Sequence, residues 1–161
     1  MKHLPENVHL TFIGDGPLRP NIMDLTRKEG LDNRIGFTGS LSYEKTMEMM
    51  STFHLLVVPS TAEPFGKVVI EAMSAYTPVV ATKAGGIPEI ISDMHNGVLV
   101  PPRNPLALAR GIKKVLYNDG LSEKLIETGR ITVEQRFTLQ RMGNEYNNLF
   151  TQYKDANVKV P

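Results

Sequence analysis

Short apolar runs alternate with longer mixed stretches along the first hundred residues of this chain. The run H-L-L-V-V at His54–Val58 is apolar at almost every position, which is typical of a parallel strand covered on both faces. Turn residues bound these runs, so each is predicted to be a strand. The predicted strands are Val8–Gly14, Arg34–Thr38, His54–Val58, Pro78–Thr82 and Val98–Val100. Strands separated by helix-length segments indicate βαβ units, and we therefore expect an α/β fold with helices on both faces of a parallel sheet.

Capping residues indicate where the helices lie. Ser, Thr and Asn side chains accept hydrogen bonds from the free N–H groups of a helix start, and proline fits the first turn. Gly30 suits the left-handed cap that ends the first helix. The predicted helices begin near Pro17, Ser42, Lys67, Pro88, Asn104, Ser122 and Thr138. The helices of the C-terminal third are expected to pack on the sheet, and the tail from Lys154 to Pro161 is expected to fray.

Composition narrows the class of protein. At 161 residues, with 41% hydrophobic and 22% charged residues, the chain is predicted to form one domain, 1–161. A formal net charge of +1 gives no electrostatic case for nucleic acid. The chain has no cysteine and its four histidines are scattered, so no metal site is expected. Without an apolar leader or a membrane-length apolar run, the default expectation is a cytoplasmic protein.

The first candidate site is the glycine turn G-D-G-P at Gly14–Pro17. A strand, a glycine turn and a helix start together make a ready anion site. A dinucleotide fingerprint is disfavoured, because Arg19 stands where the third glycine belongs and the next strand ends without an acidic residue. A simple tight turn at Gly14 and Gly16 remains the alternative.

The second candidate site spans Pro59–Thr82 and carries two carboxylates, Glu63 and Glu71. Pro64 favours an extended backbone at Glu63, which indicates a loop. Gly66 lets the backbone approach a ligand closely, and the helix that follows starts with free N–H groups. The chemistry of the residues alone leaves Glu71 evenly divided between a ligand site and an i, i+4 surface pair with Lys67.

Seven motifs occur together in one order: F-I-G-D-G-P, G-F-T-G, V-V-P-S, E-P-F-G-K-V-V-I-E-A-M, T-P-V-V-A-T, A-G-G-I-P-E-I-I and N-G-V-L-V-P-P. The ordered set strongly resembles the C-terminal, donor-binding domain of retaining glycosyltransferases of the GT-B fold, in the large group 1 family (family four). The resemblance covers about Val8 to Tyr153. It implies a nucleotide-diphosphate sugar as substrate and no metal or other cofactor.

The resemblance also implies roles for individual residues. Glu71 matches the glutamate that binds the donor ribose hydroxyls, and Glu63 matches the loop glutamate that contacts the transferred sugar near the reacting carbon. Backbone N–H groups that meet sugar hydroxyls and diphosphate oxygens are implied at Phe65, Gly66, Lys67 and Val68. Gly14 and Gly16 match the loop that faces the diphosphate. The segment beside the base is matched by Gly39, Ser40 and Leu41.

Two departures from the family pattern stand out. Tyr76 replaces the usual glycine, which predicts either local backbone strain or a shifted helix cap, with a larger effect on packing than on chemistry. The family's donor domain also begins with a further strand and helix, which carry an Arg and a Lys that bind the diphosphate. In the family this strand lies mid-sheet, between the strands that here begin at Val8 and at His54. These elements and the acceptor-binding domain have no counterpart in the sequence, so we expect a domain truncated at its N-terminus.

Three functions remain open on the sequence. The first is the donor-binding part of a retaining glycosyltransferase. This part is expected to be inactive alone, and peripheral attachment to a membrane is considered only for the full-length enzyme. The second is a non-catalytic module that binds a nucleotide or nucleotide sugar. The third is a structural domain that self-associates through the apolar stripe of the last helix, a stripe that in ordinary globular domains is most often core. The stripe comprises Leu139, Met142, Tyr146, Leu149, Phe150 and Tyr153.

Overall fold

The computed structural model describes residues 1–155; the last six residues of the tail expected to fray lie outside this range. Five strands and seven helices follow one another in the described chain. The strands are β1 (Leu10–Ile13), β2 (Ile35–Gly39), β3 (Leu56–Val58), β4 (Val79–Thr82) and β5 (Val98–Val100). The helices are α1 (Arg19–Lys28), α2 (Tyr43–Ser51), α3 (Lys67–Ser74), α4 (Ile87–Ile90), α5 (Pro105–Leu116), α6 (Asp119–Arg136) and α7 (Leu139–Asp155). The predicted α/β class is confirmed.

All strand pairs are parallel, as predicted, but they form two sheets. One sheet pairs β1 with β2, and the other has the order β3-β4-β5. Within residues 1–155 no strand pair joins β1 to β3. This is the position at which the resemblance implies one further strand.

Strand β4 lies between two cores. Val79 and Ala81 pack into a cluster with Val69 of α3 and with the buried isoleucines of α4. Val80, pointing the other way, packs with Ala109 and Ile112 of α5 and other residues of a second cluster. The three-stranded sheet therefore has helices on both faces, as predicted.

Most predicted helix ends are confirmed by their hydrogen bonds. The side chains of Ser42, Asn104 and Thr138 each accept a bond from an N–H three residues later. Gly30 has the left-handed backbone of a helix cap, with φ +64°.

Two predicted helix starts are wrong. Pro17 lies in a turn, because the N–H of Arg19 bonds back to the Gly16 carbonyl and the helix begins two residues later than predicted, with Pro20 in its first turn. The start predicted at Ser122 also moves, because the Asn118 side chain accepts a bond from the Leu121 N–H and α6 begins at Asp119.

The C-terminal helices differ in how they pack. Helix α5 contacts β4 and β5, and α6 contacts α3 and α5. From Leu139 to Tyr153 every residue of α7 is exposed, so the apolar stripe expected in a core lies in solvent. No helix in the described part of the chain is both long enough and apolar enough to cross a membrane.

Candidate functional site

The candidate residues lie in the turns that follow β1, β2 and β3, at the carboxyl ends of the parallel strands. Ligands of open α/β sheets bind at this edge. The turns after β1 and β2 touch directly, because the Gly14 N–H donates to the Gly39 carbonyl over 2.9 Å. The predicted diphosphate-facing turn and the predicted base-proximal segment are therefore neighbours.

Asp15 organises the glycine turn. The Gly16 N–H donates to Asp15 Oδ1 over 2.8 Å, and Arg19 Nη1 donates to Asp15 Oδ2 over 3.0 Å. The Gly16 N–H, with a further contribution from Arg19, holds the pKa of the Asp15 carboxyl below its ordinary value. Gly14 has φ +116°, a conformation that side chains rarely adopt.

Arg19 is a candidate site residue that no sequence motif identified. In the sequence it served only to disfavour a dinucleotide fingerprint. In the structure its Nη1 lies 3.3 Å from the position that a Cβ on Gly39 would occupy, and Gly39 has φ +72°. The guanidinium thus lies between the glycine turn and the Gly39–Leu41 segment. Only the fold brings these positions together, since they are 20 residues apart.

The loop after β3 presents Glu63 next to the start of α3. The Gly66 N–H donates to Glu63 Oε1 over 3.1 Å, and Gly66 is buried with φ +96°. A Cβ at Gly66 would lie 3.3 Å from Ile90, so glycine also allows the loop to pack on α4. The Glu63 carboxylate therefore accepts a hydrogen bond from one of the backbone N–H groups that, by the resemblance, are expected to contact the donor.

Gly85 and Gly86, after β4, hold this loop in place. The Gly86 N–H donates to the Glu63 carbonyl over 2.8 Å. A Cβ on Gly85 would lie 2.0 Å from the Glu63 carbonyl oxygen, and one on Gly86 would lie 2.6 Å from the Pro64 carbonyl oxygen. Neither glycine leaves room for a side chain, so the two backbone segments lie in direct contact.

Phe65 extends the loop toward the end of α6. Its ring meets the ring of Phe137 edge to face, with centroids 6.2 Å apart. Phe65 is nevertheless half exposed. The junction between α6 and α7 is therefore in contact with the candidate site.

Helix α3 carries Lys67 at its first position and Glu71 one turn later. Lys67 Nζ lies 3.3 Å from Glu71 Oε1, so the i, i+4 pair that the spacing allowed does form. The same ammonium lies 5.8 Å from the ring centroid of Tyr43, the first residue of α2. Tyr43 follows the Gly39–Leu41 segment by two residues, and the contact links that segment to Glu71.

The structure thus brings the predicted residues into two groups, which the contact between Lys67 and Tyr43 connects. Gly14 and Gly16 lie in the turn after β1 and Gly39 lies at the end of β2, whereas Glu63, Gly66, Lys67 and Glu71 lie in the loop after β3 and in α3. Ser40 is exposed, and Leu41 and Val68 are half buried. Among residues 1–155 no cluster of three or more His, Asp or Glu side chains could hold a metal ion.

Sequence comparisons point to one family. A family model described as glycosyl transferases group 1 matches residues 1–132. The chain is similar to an uncharacterised glycosyltransferase of Methanocaldococcus jannaschii, with 32% identity over 144 residues that cover 89% of this chain and 37% of that protein. It is similar to the alpha-D-kanosaminyltransferase of Streptomyces kanamyceticus, with 31% identity over 85% of this chain and 36% of that protein. The chain thus spans little more than a third of these relatives.

A comparison with solved structures agrees. The fold matches Anabaena HepE, which was solved in complex with UDP, with a TM-score of 0.85 and 27% identity. The match covers 92% of this chain and 42% of that chain. The same protein has also been solved in complex with UDP-glucose.

Proposed function

The chain belongs to the group 1 glycosyl transferases, and on this premise we propose that it is the donor-binding part of a retaining glycosyltransferase. The substrate class is a nucleoside-diphosphate sugar, with UDP as the first nucleotide to test because the similar HepE fold was solved with it. The observation that carries the proposal is Glu71, a largely buried carboxylate one turn into α3 at the carboxyl edge of the sheet.

In this proposal the residues of α3 and of the loop before it bind different parts of the donor. The Glu71 carboxylate accepts hydrogen bonds from the two ribose hydroxyls. The N–H groups at the start of α3 donate to diphosphate oxygens, because a helix start favours anions. Glu63 lies beside the sugar and stabilises the positive charge that develops at its anomeric carbon.

The transfer itself exchanges one bond at the anomeric carbon. The bond to the diphosphate oxygen breaks, and the nucleoside diphosphate leaves with the electron pair. The acceptor hydroxyl forms the new bond on the same face of the sugar, and its proton passes to the departing diphosphate oxygen. The acceptor would be held by a separate acceptor-binding domain, which the resemblance implies for the whole protein.

Calorimetric titration of the 161-residue chain with UDP, GDP and ADP tests the donor site. Glu71→Gln keeps the size of the side chain but removes the charge that strengthens both ribose bonds, so affinity is expected to fall about tenfold or more. Glu123→Gln on the exposed face of α6 is the matched control and is expected to bind as the parent chain does. Equal binding by both variants, or no binding of any nucleotide, would contradict the proposal.

For this chain alone we propose binding without transfer. It spans only 37% of the Methanocaldococcus jannaschii relative, and transfer needs a closed cleft that excludes water. The purified chain is expected to release no UDP from UDP-glucose above background in the presence of sugar acceptors. Steady release that Glu63→Gln abolishes would show that the chain is catalytic by itself.

We propose that donor binding needs no metal and that the whole protein is cytoplasmic, with peripheral membrane attachment. The sequence lacks the Asp-rich metal motif of the other glycosyltransferase fold. Titrations in EDTA and in magnesium are expected to give the same nucleotide affinity. Fractionation of cells is expected to recover the protein in the cytosol and in membrane fractions from which salt extracts it. Recovery only after detergent treatment would contradict the proposed cytoplasmic location with peripheral attachment.

We also propose self-association through α7 as a secondary property of this chain. The support is the fully exposed apolar stripe from Leu139 to Tyr153. Sedimentation at rising concentration is expected to show reversible oligomers. The double variant Tyr146→Lys and Phe150→Lys is expected to be a monomer. An unchanged distribution of oligomers would show that the apolar stripe of α7 is not the surface of self-association.

A further inference from the structure

Three side chains beside the proposed nucleotide site form one contiguous group. The Lys67 ammonium lies 3.3 Å from Glu71 Oε1 and 5.8 Å from the ring centroid of Tyr43. Glu71 is the proposed ribose ligand, and Tyr43 lies two residues after Leu41, the last residue of the segment that the family resemblance places beside the base. The ammonium therefore contacts the proposed ribose ligand and also the start of α2, close to that segment.

The two members of the ion pair differ in exposure. The Lys67 side chain is 78% exposed, whereas the Glu71 side chain is only 18% exposed. Most of the Glu71 side chain faces protein, so a ligand must reach the carboxylate from the solvent side. The Lys67 ammonium lies on that side. A ribose that donates both hydroxyls to Glu71 therefore competes with Lys67 for Oε1.

Helix stability does not account for this lysine. A positive charge in the first turn opposes the helix dipole, and a Lys that precedes its Glu by four residues is the less favourable order of the pair. Helix α3 has no acidic residue in its first turn and no side-chain cap. The position thus concentrates positive charge where an anion would bind.

We infer that Lys67 is a specificity-determining residue that distinguishes nucleoside diphosphates from nucleosides, an inference that rests on the proposed function. In the free chain the ammonium neutralises Glu71. When a nucleoside diphosphate binds, its ribose hydroxyls donate to Glu71, and the displaced ammonium pairs with its diphosphate oxygens instead. A nucleoside displaces the ammonium equally but brings no anion, so it loses the ion pair without replacement.

Opposite effects on two ligands test this inference. Lys67→Met keeps the length of the side chain and removes its charge. We expect uridine to bind the variant about two- to fivefold more tightly than the parent chain, since an exposed ion pair no longer competes for Glu71. We expect UDP to bind it about fivefold or more weakly, since a charge-assisted contact to phosphate is lost.

The measurement is titration of the 161-residue chain with uridine and UDP, followed by NMR shifts of the α3 amides. Lys114→Met on α5 removes the same charge from an exposed lysine with no ion pair in the described part of the chain, and is expected to change neither affinity. Glu71→Gln is measured in parallel because it tests the proposed function alone. Circular dichroism of each variant verifies that the fold is retained.

Each result leads to one conclusion. A fall in the affinity ratio of UDP to uridine by about tenfold, with uridine binding improved, supports the inference. If Lys67→Met weakens the binding of both UDP and uridine, Lys67 only positions Glu71. If it changes neither affinity, Lys67 is a surface residue without a role in binding. Both results overturn the inference, whereas weaker UDP binding by Glu71→Gln still supports the donor site. Full UDP affinity in Glu71→Gln overturns the proposed function and the inference together.

Discussion

Gly85 lies where the chain after β4 passes against the backbone of Glu63. A Cβ on Gly85 would lie 2.0 Å from the Glu63 carbonyl oxygen, and its φ of +53° is already unfavourable for other residues. Gly85→Ala is therefore expected to displace the Glu63 loop and to lower the free energy of unfolding by roughly 1–3 kcal/mol. Thermal unfolding measures the loss, and a titration with UDP measures the accompanying loss of affinity.

Gly120→Ala provides the matched control for that substitution. Gly120 is in the first turn of α6, and the nearest atom to its added Cβ is 3.9 Å away. Alanine favours a helix over glycine, so this variant is expected to be as stable as the parent chain or slightly more stable. If both variants unfold at the same temperature, the contact between Gly85 and Glu63 does not hold the loop.

Asp15 is one residue whose carboxyl group is expected to make the stability of the fold depend on pH. The Gly16 N–H and the Arg19 guanidinium lower its pKa in the folded chain. A lowered folded pKa stabilises the fold above the unfolded pKa, and the gain is lost as pH falls through the folded pKa. Arg19→Met is expected to raise the pKa of Asp15 toward its ordinary value, as followed by the carboxyl NMR signal, while an unchanged titration would show that the Gly16 N–H acts alone.

Spacing along the chain predicts some residue contacts and misses others. The i, i+4 spacing of Lys67 and Glu71 correctly allowed their ion pair, because a helix alone brings such positions together. By contrast, Asn96 is 2% exposed, and its side chain donates to the Ile90 carbonyl and to Thr132 of α6. That second contact crosses 36 residues of sequence and depends on the packing of α6, which no local pattern contains.

At the scale of elements, α7 is expected to be dispensable for folding. Every residue from Leu139 to Tyr153 is exposed, and the family model ends before this helix, at residue 132. A chain ending at Phe137 is therefore expected to unfold within about 2 °C of the parent chain, because little buried area is lost. A chain ending at Tyr117, which also lacks the buried Leu121 and Leu125 of α6, is the contrasting control and is expected to be unfolded. A comparable loss of thermal stability in both truncated chains would mean that α7 packs on the domain in solution.

The same helix shows what an apolar pattern can and cannot predict. The stripe of six large apolar residues correctly predicted a helix, and Thr138 correctly predicted its start. The pattern did not say which surface the stripe would meet. Periodicity identifies the face of a helix that favours burial, but the partner of that face is a property of the whole assembly.

At the scale of the whole molecule, the two sheets leave an edge on β1 and another on β3 that no strand within residues 1–155 pairs. The N–H of Leu10 bonds to the carbonyl before β2, and that of Leu56 bonds to the carbonyl before β4. Because successive N–H groups of a strand point to opposite sides, those of Thr11, Ile13 and Val57 point away from the paired neighbours. Strand order could be predicted only through the family resemblance, because sequence patterns identify strands but not their neighbours.

Hydrogen exchange of the backbone amides tests this arrangement directly. In the 161-residue chain, the amides of Thr11, Ile13 and Val57 are expected to exchange about tenfold or more faster than that of Phe12, which points toward β2. Strand β4 is the internal control, because it is paired on both sides and all its amides are expected to be protected. In a longer protein that supplies a strand between β1 and β3, the three amides become protected. Slow exchange at all three in this chain alone would mean that the edges are already covered, by each other or by a second copy.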